Sequence, residues 1–301
     1  MANKQMANHN SQITHHISRL TFDVSRFTHH DWLLLAWLGG ATLLFFWPIW
    51  VAGYTFPQGG GDLFGQLYHV WSYVAEWLRR GVFPLWSTRM MGGDPIIAEA
   101  QYGLLNPLNW PLFLFHPIPK VLLLFRDGFT LWLAGAGLYL YLRRSPVWGL
   151  SRSAALTGAV AYMFSNPFVT HLGHPQFNDV MAWLPWTLWG IDHAMRRSKA
   201  IPLAGGALAV LLLAGHGQAA LYAVFLITFY SIWQVLECKL EKTAPRIARL
   251  ALVALLGGIL AAPALLPLME RLPYTDRSAD TTEERQGYEF PKEMLVDFLS
   301  P

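Results

Sequence analysis

One cysteine, Cys238, is all the thiol chemistry in the chain. An internal disulfide framework and a zinc site built from several thiolates are therefore excluded, and thiol redox chemistry is not the theme. Charge is scarce too. Asp, Glu, Lys and Arg make up 14% of 301 residues against 53% hydrophobic, which is more apolar than an ordinary soluble domain. The net charge of +3 and the pI near 9.0 would fit nucleic acid only if the basic residues clustered among aromatics. They sit instead in small groups at the ends of apolar runs, so no nucleic-acid partner is expected. No Gly-Lys-Ser/Thr follows the glycines Gly59, Gly60 and Gly61, so they form no phosphate loop, and no internal repeat is visible. Residues 1–31 are polar and precede an apolar segment too long for a signal-peptide core, so targeting is expected from the first membrane helix.

What the chain has in abundance is long apolar segments. A bilayer core of about 30 Å needs roughly 20 mostly apolar residues per helix. Segments 32–53, 119–142, 152–170, 179–195, 200–214, 217–236 and 247–269 meet or approach that requirement. The fold class read from them is an all-α integral membrane bundle of about seven transmembrane helices. Segment 200–214 is short and meets the next at Gly215-His216-Gly217-Gln218, which reads as a tight hairpin. If all seven segments cross, the short-loop basic residues fall on one side: Arg143, Arg144 and Arg152; Arg196, Arg197 and Lys199; Lys239, Lys242, Arg246 and Arg249. Basic residues stay in the cytoplasm. This places 1–31 inside as a cytoplasmic tail, the transmembrane domain at 32–269, and 270–301 outside, as a segment expected to be truncated.

The outer loop 54–118 is too long and too patterned for a connector. Leu63, Leu67, Val70, Val74 and Trp77 recur at helical spacing, with Gln66, His69, Glu76, Arg79 and Arg80 on the other face, as in a helix lying along the membrane interface. Residues 106–116 are apolar but short and broken by Pro107 and Pro111, and read as re-entrant or interfacial.

Polar groups gather in this loop and at the outer helix ends. Asp62, after three glycines at the start of an outward-facing helix, has the makings of a general base or a ligand for a divalent ion; equally, it has those of a helix N-cap. Asp94, Glu99 and Gln101, with Trp86 and Tyr102, suit a sugar site in which aromatic faces stack and carboxylates or amides take hydroxyls; local turn bonding is the plainer reading of each. Arg126-Asp127 lies inside an apolar run, where a charge faces a partner or a cavity. Arg126 either holds a lipid-linked phosphate or snorkels with a local carboxylate partner. His171, His174, Gln176, Asn178, Asp179, His216 and Gln218 stand at the outer ends of several helices. The i,i+3 histidines are poor zinc ligands, and turn or helix-end hydrogen bonding is the stronger expectation. His9, His15, His16, His29 and His30 serve to solvate the tail, and Cys238 is inert or acylated.

In order and spacing, Gly61-Asp62-Leu63 with Gln66, Pro84-Leu85-Trp86, Gly92-Gly93-Asp94-Pro95, Gln101-Tyr102-Gly103, Asn106-Pro107-Leu108-Asn109, His174, Trp183-Leu184-Pro185-Trp186 and Gly215-His216-Gly217-Gln218 resemble the N-terminal region of the YfhO-type bacterial membrane proteins. The resemblance runs from about residue 55 to the end. That family is similar to type C glycosyltransferases. The resemblance implies inverting transfer of a sugar from a polyprenyl-phosphate-linked donor to an extracytoplasmic acceptor (a cell-envelope glycan, teichoic acid or protein) at the bacterial cytoplasmic (inner) membrane. It implies Asp62 as base or as ligand of Mg²⁺ or Mn²⁺. Gln66, Arg126, His174, Gln176, His216 and Gln218 become candidates for the donor, and Asp94 or Asp179 for a second acid. Two departures stand out: family members are longer, and they carry Gly-His-Pro-Gln where this chain has Gly215-His216-Gly217-Gln218. The rival readings are a transporter or lipid flippase built around Arg126-Asp127, and a non-catalytic fragment of a longer glycosyltransferase.

Overall fold

A computed structural model describes residues 28–52, 61–90, 92–237 and 243–275. Most of the tail 1–31, Cys238, Lys239, Lys242 and most of segment 270–301 lie outside the described residues. The described chain is helical, and the one β-type feature among its residues is an isolated antiparallel bridge between Ser87 and Asp94.

The first apolar segment forms α1 (His29–Phe45) and a short α2 (Trp47–Ala52). The break has a local cause, because Pro48 supplies no N–H to the preceding turn. A capping box of Thr28 and Asp31 starts α1. After a widened turn at Leu63–Leu67, α3 (Tyr68–Leu78) carries the outer loop's amphipathic pattern. Leu63, Leu67, Val70 and Val74 are fully buried, and α3 packs on the turn Trp110–Leu114. The apolar face of α3 is thus spent inside the protein.

The long helix α4 (Lys120–Arg144) is buried along most of its length, packed by α1, by α5 (Arg152–Met163) and by α7 (Pro175–Ala194). At about 1.5 Å per residue it spans roughly 37 Å. The expected single segment 152–170 is split into α5 and α6 (Asn166–Thr170), since Pro167 has no N–H to give the Met163 carbonyl and its ring would crowd it in a continuous helix. Segments 200–214 and 217–236 form α8 (Ile201–Leu213) and α9 (Gly217–Leu236), but in place of the expected tight hairpin α8 packs along α7 and α10 (Thr243–Arg271) and meets α9 little beyond their junction.

Among the described residues, three helical segments are long and apolar enough to cross a membrane: Lys120–Arg144, Gly217–Leu236 and Thr243–Tyr274. Both α9 and α10 expose apolar stripes, such as Leu221, Phe225 and Phe229, and Leu252, Leu255 and Ile259, the pattern of a lipid-facing helix.

Contacts sort the helix ends into two groups. At one end Asp31 of α1 pairs with Arg144 of α4 and lies 3.8 Å from Arg152 of α5. Arg249 of α10 donates to the carbonyl of Met195, after α7. Of the basic residues read as one side of the membrane, Arg144 and Arg152 thus meet at Asp31. The opposite end holds the outer loop, the start of α7, the α8–α9 turn and the end of α10.

Candidate functional site

Asp62 is the centre of that opposite end. It stands at the N-terminus of the Leu63–Leu67 turn, yet its side chain makes no capping bond. Its Oδ2 is reached instead by three groups from distant parts of the chain. Gln101 Nε2 donates at 2.9 Å, Gln176 Nε2 at 3.3 Å, and His174 Nδ1 lies 3.4 Å away. About a third of each of the Asp62 and His174 side chains is exposed, while Gln176 is buried. The result is an accessible carboxylate whose orientation is set by two amides and an imidazole.

Backbone contacts lock the elements that bring these groups together. Gly61 has φ +73°, a conformation that L side chains rarely adopt, and a β-carbon there would stand 2.4 Å from the Gly173 carbonyl. That close approach lets Leu63 N donate to Gly173 O at 3.0 Å, so the start of the outer-loop helix is docked on the turn before α7. Gly215, φ +94°, packs its backbone onto the Ala100–Tyr102 turn in the same way. Here only glycine fits at the start of the Gly-His-Gly-Gln turn, while Gly217 meets nothing within 4 Å. The departure from Gly-His-Pro-Gln at that position therefore disturbs no packing.

A second layer surrounds the carboxylate. Glu99 Oε1 accepts from Gln101 N at 3.3 Å. Asp94 Oδ2 accepts from the Tyr102 hydroxyl at 3.3 Å, and Gln66 lies near that hydroxyl. Burial first, and then the Asp94 charge, push the Tyr102 hydroxyl up to about 12. Both carboxylates are gripped by Arg271 at the end of α10: Nη1 reaches Glu99 at 3.0 Å and Nη2 reaches Asp94 at 2.9 Å. Sequence reading passed over Arg271. The available signal was its charge, since it is a basic residue on the side where short loops hold none.

Among the histidines, His171 stacks on Phe177 with ring centres 4.2 Å apart, and His216 meets the same ring edge-on at 5.4 Å. His216 Nδ1 accepts from Ala219 N at 3.1 Å and caps α9. Burial lowers its pKa, and nearby His171 and His174 act in the same direction. Gln218 is exposed and donates to the Tyr222 hydroxyl one helical turn along, so it stands outside the Asp62 network.

Arg126 and Asp179 form a separate, closed cluster. Arg126 donates to Asp127 Oδ1 and Asn109 Oδ1, each at 3.0 Å, and pairs with Asp179. Asp179 also accepts from Asn106 at 2.6 Å and from Thr130 at 3.1 Å. All six side chains are buried, and the guanidinium carbon sits 5.8 Å from the centre of the Trp71 ring. Both expectations for Arg126 thus meet a more specific arrangement: the guanidinium does have its local carboxylate, yet it is held inside the protein by a second one from α7. Beside the cluster, α1, α4 and residues 107–115 enclose an apolar groove of about 780 Å³, with Arg126 as the charged residue among those lining it.

Among the described residues, no group of three or more His, Cys, Asp or Glu side chains is arranged to hold a metal ion. Around Asp62 the donor set offers one carboxylate, and both amides turn an N–H toward it. This suits a hydrogen-bonded base better than a Mg²⁺ or Mn²⁺ site, which wants further oxygen ligands. No curated protein and no solved structure matches the chain. The model of the bacterial membrane protein YfhO family matches residues 33–299, a span that contains every candidate site residue described above and every helix except the first turn of α1, and the chain therefore belongs to the YfhO family.

Proposed function

We propose that this YfhO-family protein is an inverting glycosyltransferase that moves a sugar from a polyprenyl-phosphate-linked donor to a hydroxyl on a glycan, teichoic acid or protein outside the cytoplasm. The observation that carries the reading is Asp62. It is a partly exposed carboxylate at a helix start, released from capping and oriented by Gln101, His174 and Gln176. In the transfer, the acceptor oxygen forms a bond to the anomeric carbon as the bond from that carbon to the donor phosphate oxygen breaks. The acceptor's proton passes to Asp62, and the phosphate leaves with the electron pair. His174, adjacent to Asp62, is placed to steady the leaving phosphate. The apolar groove between α1 and α4 is suited to the isoprenoid tail of the donor.

This reading takes the bundle as a domain of seven crossings over 32–269 in the bacterial inner membrane. The tail and the Arg144 end face the cytoplasm, and Asp62 and segment 270–301 face out. A metal is not needed for any step derived from these residues.

The test is transfer of labelled sugar from polyprenyl-phosphate donors in membranes holding the wild type or Asp62→Asn, each with and without EDTA. Transfer by the wild type that is lost in the variant, with membrane insertion intact, supports the proposal. Full activity in Asp62→Asn removes the assignment of the base, and a wild type inert with every donor removes the enzyme. Sensitivity to EDTA would return a divalent ion to the mechanism.

A further inference from the structure

Arg271 is half-buried and ends α10, a helix that supplies no group to the Asp62 carboxylate itself. Its two contacts lead to Asp62 by separate routes. Through Glu99, whose other oxygen accepts Gln101 N at 3.3 Å, it fixes the turn whose Gln101 Nε2 donates to Asp62 at 2.9 Å. Through Asp94 it fixes the Tyr102 hydroxyl, near which lies Gln66 of the helical turn that begins at Asp62. Trp71 Nε1 holds the Tyr102 carbonyl at 2.8 Å and ties the same turn to α3.

Stability accounts for part of this arrangement: Glu99 is partly open to solvent, where an ion pair contributes little to folding, whereas Asp94 is buried and loses its charge partner when Arg271 is replaced. A guanidinium that spans two carboxylates, however, fixes direction, because its donors form a rigid planar fork. The same contacts withdraw Asp94 and Glu99 from substrate, since each already has an oxygen committed to Arg271.

We infer that Arg271 is a positioning residue, which sets the orientation of Asp62 through Glu99 and Gln101, with Asp94 and Tyr102 bracing the same turn, without touching substrate. This rests on the reading of Asp62 as the base. It makes the placement of α10, whose Arg271 lies 172 residues from Glu99 in sequence, a determinant of turnover.

The experiment compares Arg271→Gln and Arg271→Lys with the wild type in full-length membrane preparations. Turnover of labelled polyprenyl-phosphate sugar should fall about 10- to 100-fold in Arg271→Gln with donor KM within about twofold, the signature of misplaced chemistry rather than lost binding. Arg271→Lys, which keeps the charge and loses the fork, should recover part of the rate. Asp62→Asn combined with Arg271→Gln should be no slower than Asp62→Asn alone. A second arm needs no substrate: in a Cys238→Ala background, Gln101→Cys should be alkylated several-fold faster once Arg271 is replaced by Gln. Wild-type turnover in Arg271→Gln, a change confined to KM, or a loss that follows thermal stability and is untouched by Lys overturns the inference. If the wild type shows no transfer, the proposed function fails, and an unchanged alkylation rate is then what overturns the role of Arg271.

Discussion

Arg126 and Asp179, 53 residues apart in sequence, form a buried ion pair that fastens α4 to α7. The pair is only part of the joint. Asn106 and Asn109 bring the outer loop to the same two side chains, so three segments of the chain meet at one guanidinium and one carboxylate. Removing one partner of such a pair leaves the other charge in a place that water does not reach. Asp179→Ala should therefore destabilise the folded protein by about 3–5 kcal/mol. Asp127 remains beside Arg126 and offsets some of this, so Asp127→Ala in the same chain should deepen the loss. Chemical denaturation in detergent measures both, and a change under about 1 kcal/mol for Asp179→Ala would show that the pair does not hold the joint.

Helix positions were largely legible from the sequence because hydropathy and periodicity are local. Segments 119–142, 200–214 and 217–236 fall within a few residues of α4, α8 and α9. The errors are local too: the breaks beside Pro48 and Pro167 follow from backbone rules that a hydropathy window averages away. The site was legible as a list and illegible as a geometry. Asp62, Gln101, His174 and Gln176 were all candidates, but their convergence spans 39, 112 and 114 residues. That is set by how α7 and the outer loop dock. Arg126 shows the limit most clearly. Its neighbour Asp127 is plain in the sequence, whereas Asp179 required the fold.

Gly61 makes the docking of the Asp62 turn possible, and its replacement should separate positioning from folding. A methyl group at φ +73° is strained, and it would meet the Gly173 carbonyl at 2.4 Å and His174 Nε2 at 2.7 Å. Gly61→Ala is expected to lose about 1–3 kcal/mol of stability. It should also lose transfer by about 100-fold as Asp62 and His174 are pushed apart. Activity assays beside denaturation curves decide it: a variant with wild-type turnover would mean that Asp62 tolerates displacement.

The groove offers a test of the lipid-tail assignment that leaves Asp62 alone. A β-carbon at Gly128 would meet Thr42 and Phe46 at 3.6–3.7 Å, ordinary contact, so Gly128→Ala should be silent. Gly128→Leu projects a branched side chain among residues that line the groove. The expected result is a donor KM raised about tenfold or more for a long-chain polyprenyl donor and nearly unchanged for a short-chain one. Equal effects on both donors would place the isoprenoid tail elsewhere.

His216 ties acid stability to the N-terminal end of α9. Its Nδ1 must be unprotonated to accept the Ala219 N–H, and burial with two neighbouring imidazoles holds its pKa below the ordinary 6.5. With the folded value below the unfolded one, the unfolded chain binds the proton more readily. The stabilisation is therefore present above the unfolded pKa and is lost as pH falls through the lowered folded value. A helix N-cap contributes about 1 kcal/mol, so the melting temperature should decline by a few degrees as pH falls from about 7 to about 5. Asparagine caps a helix equally well and does not titrate. His216→Asn should accordingly match the wild type near neutrality and lose much less on acidification. An equal acid loss in both proteins would move the titrating group away from His216.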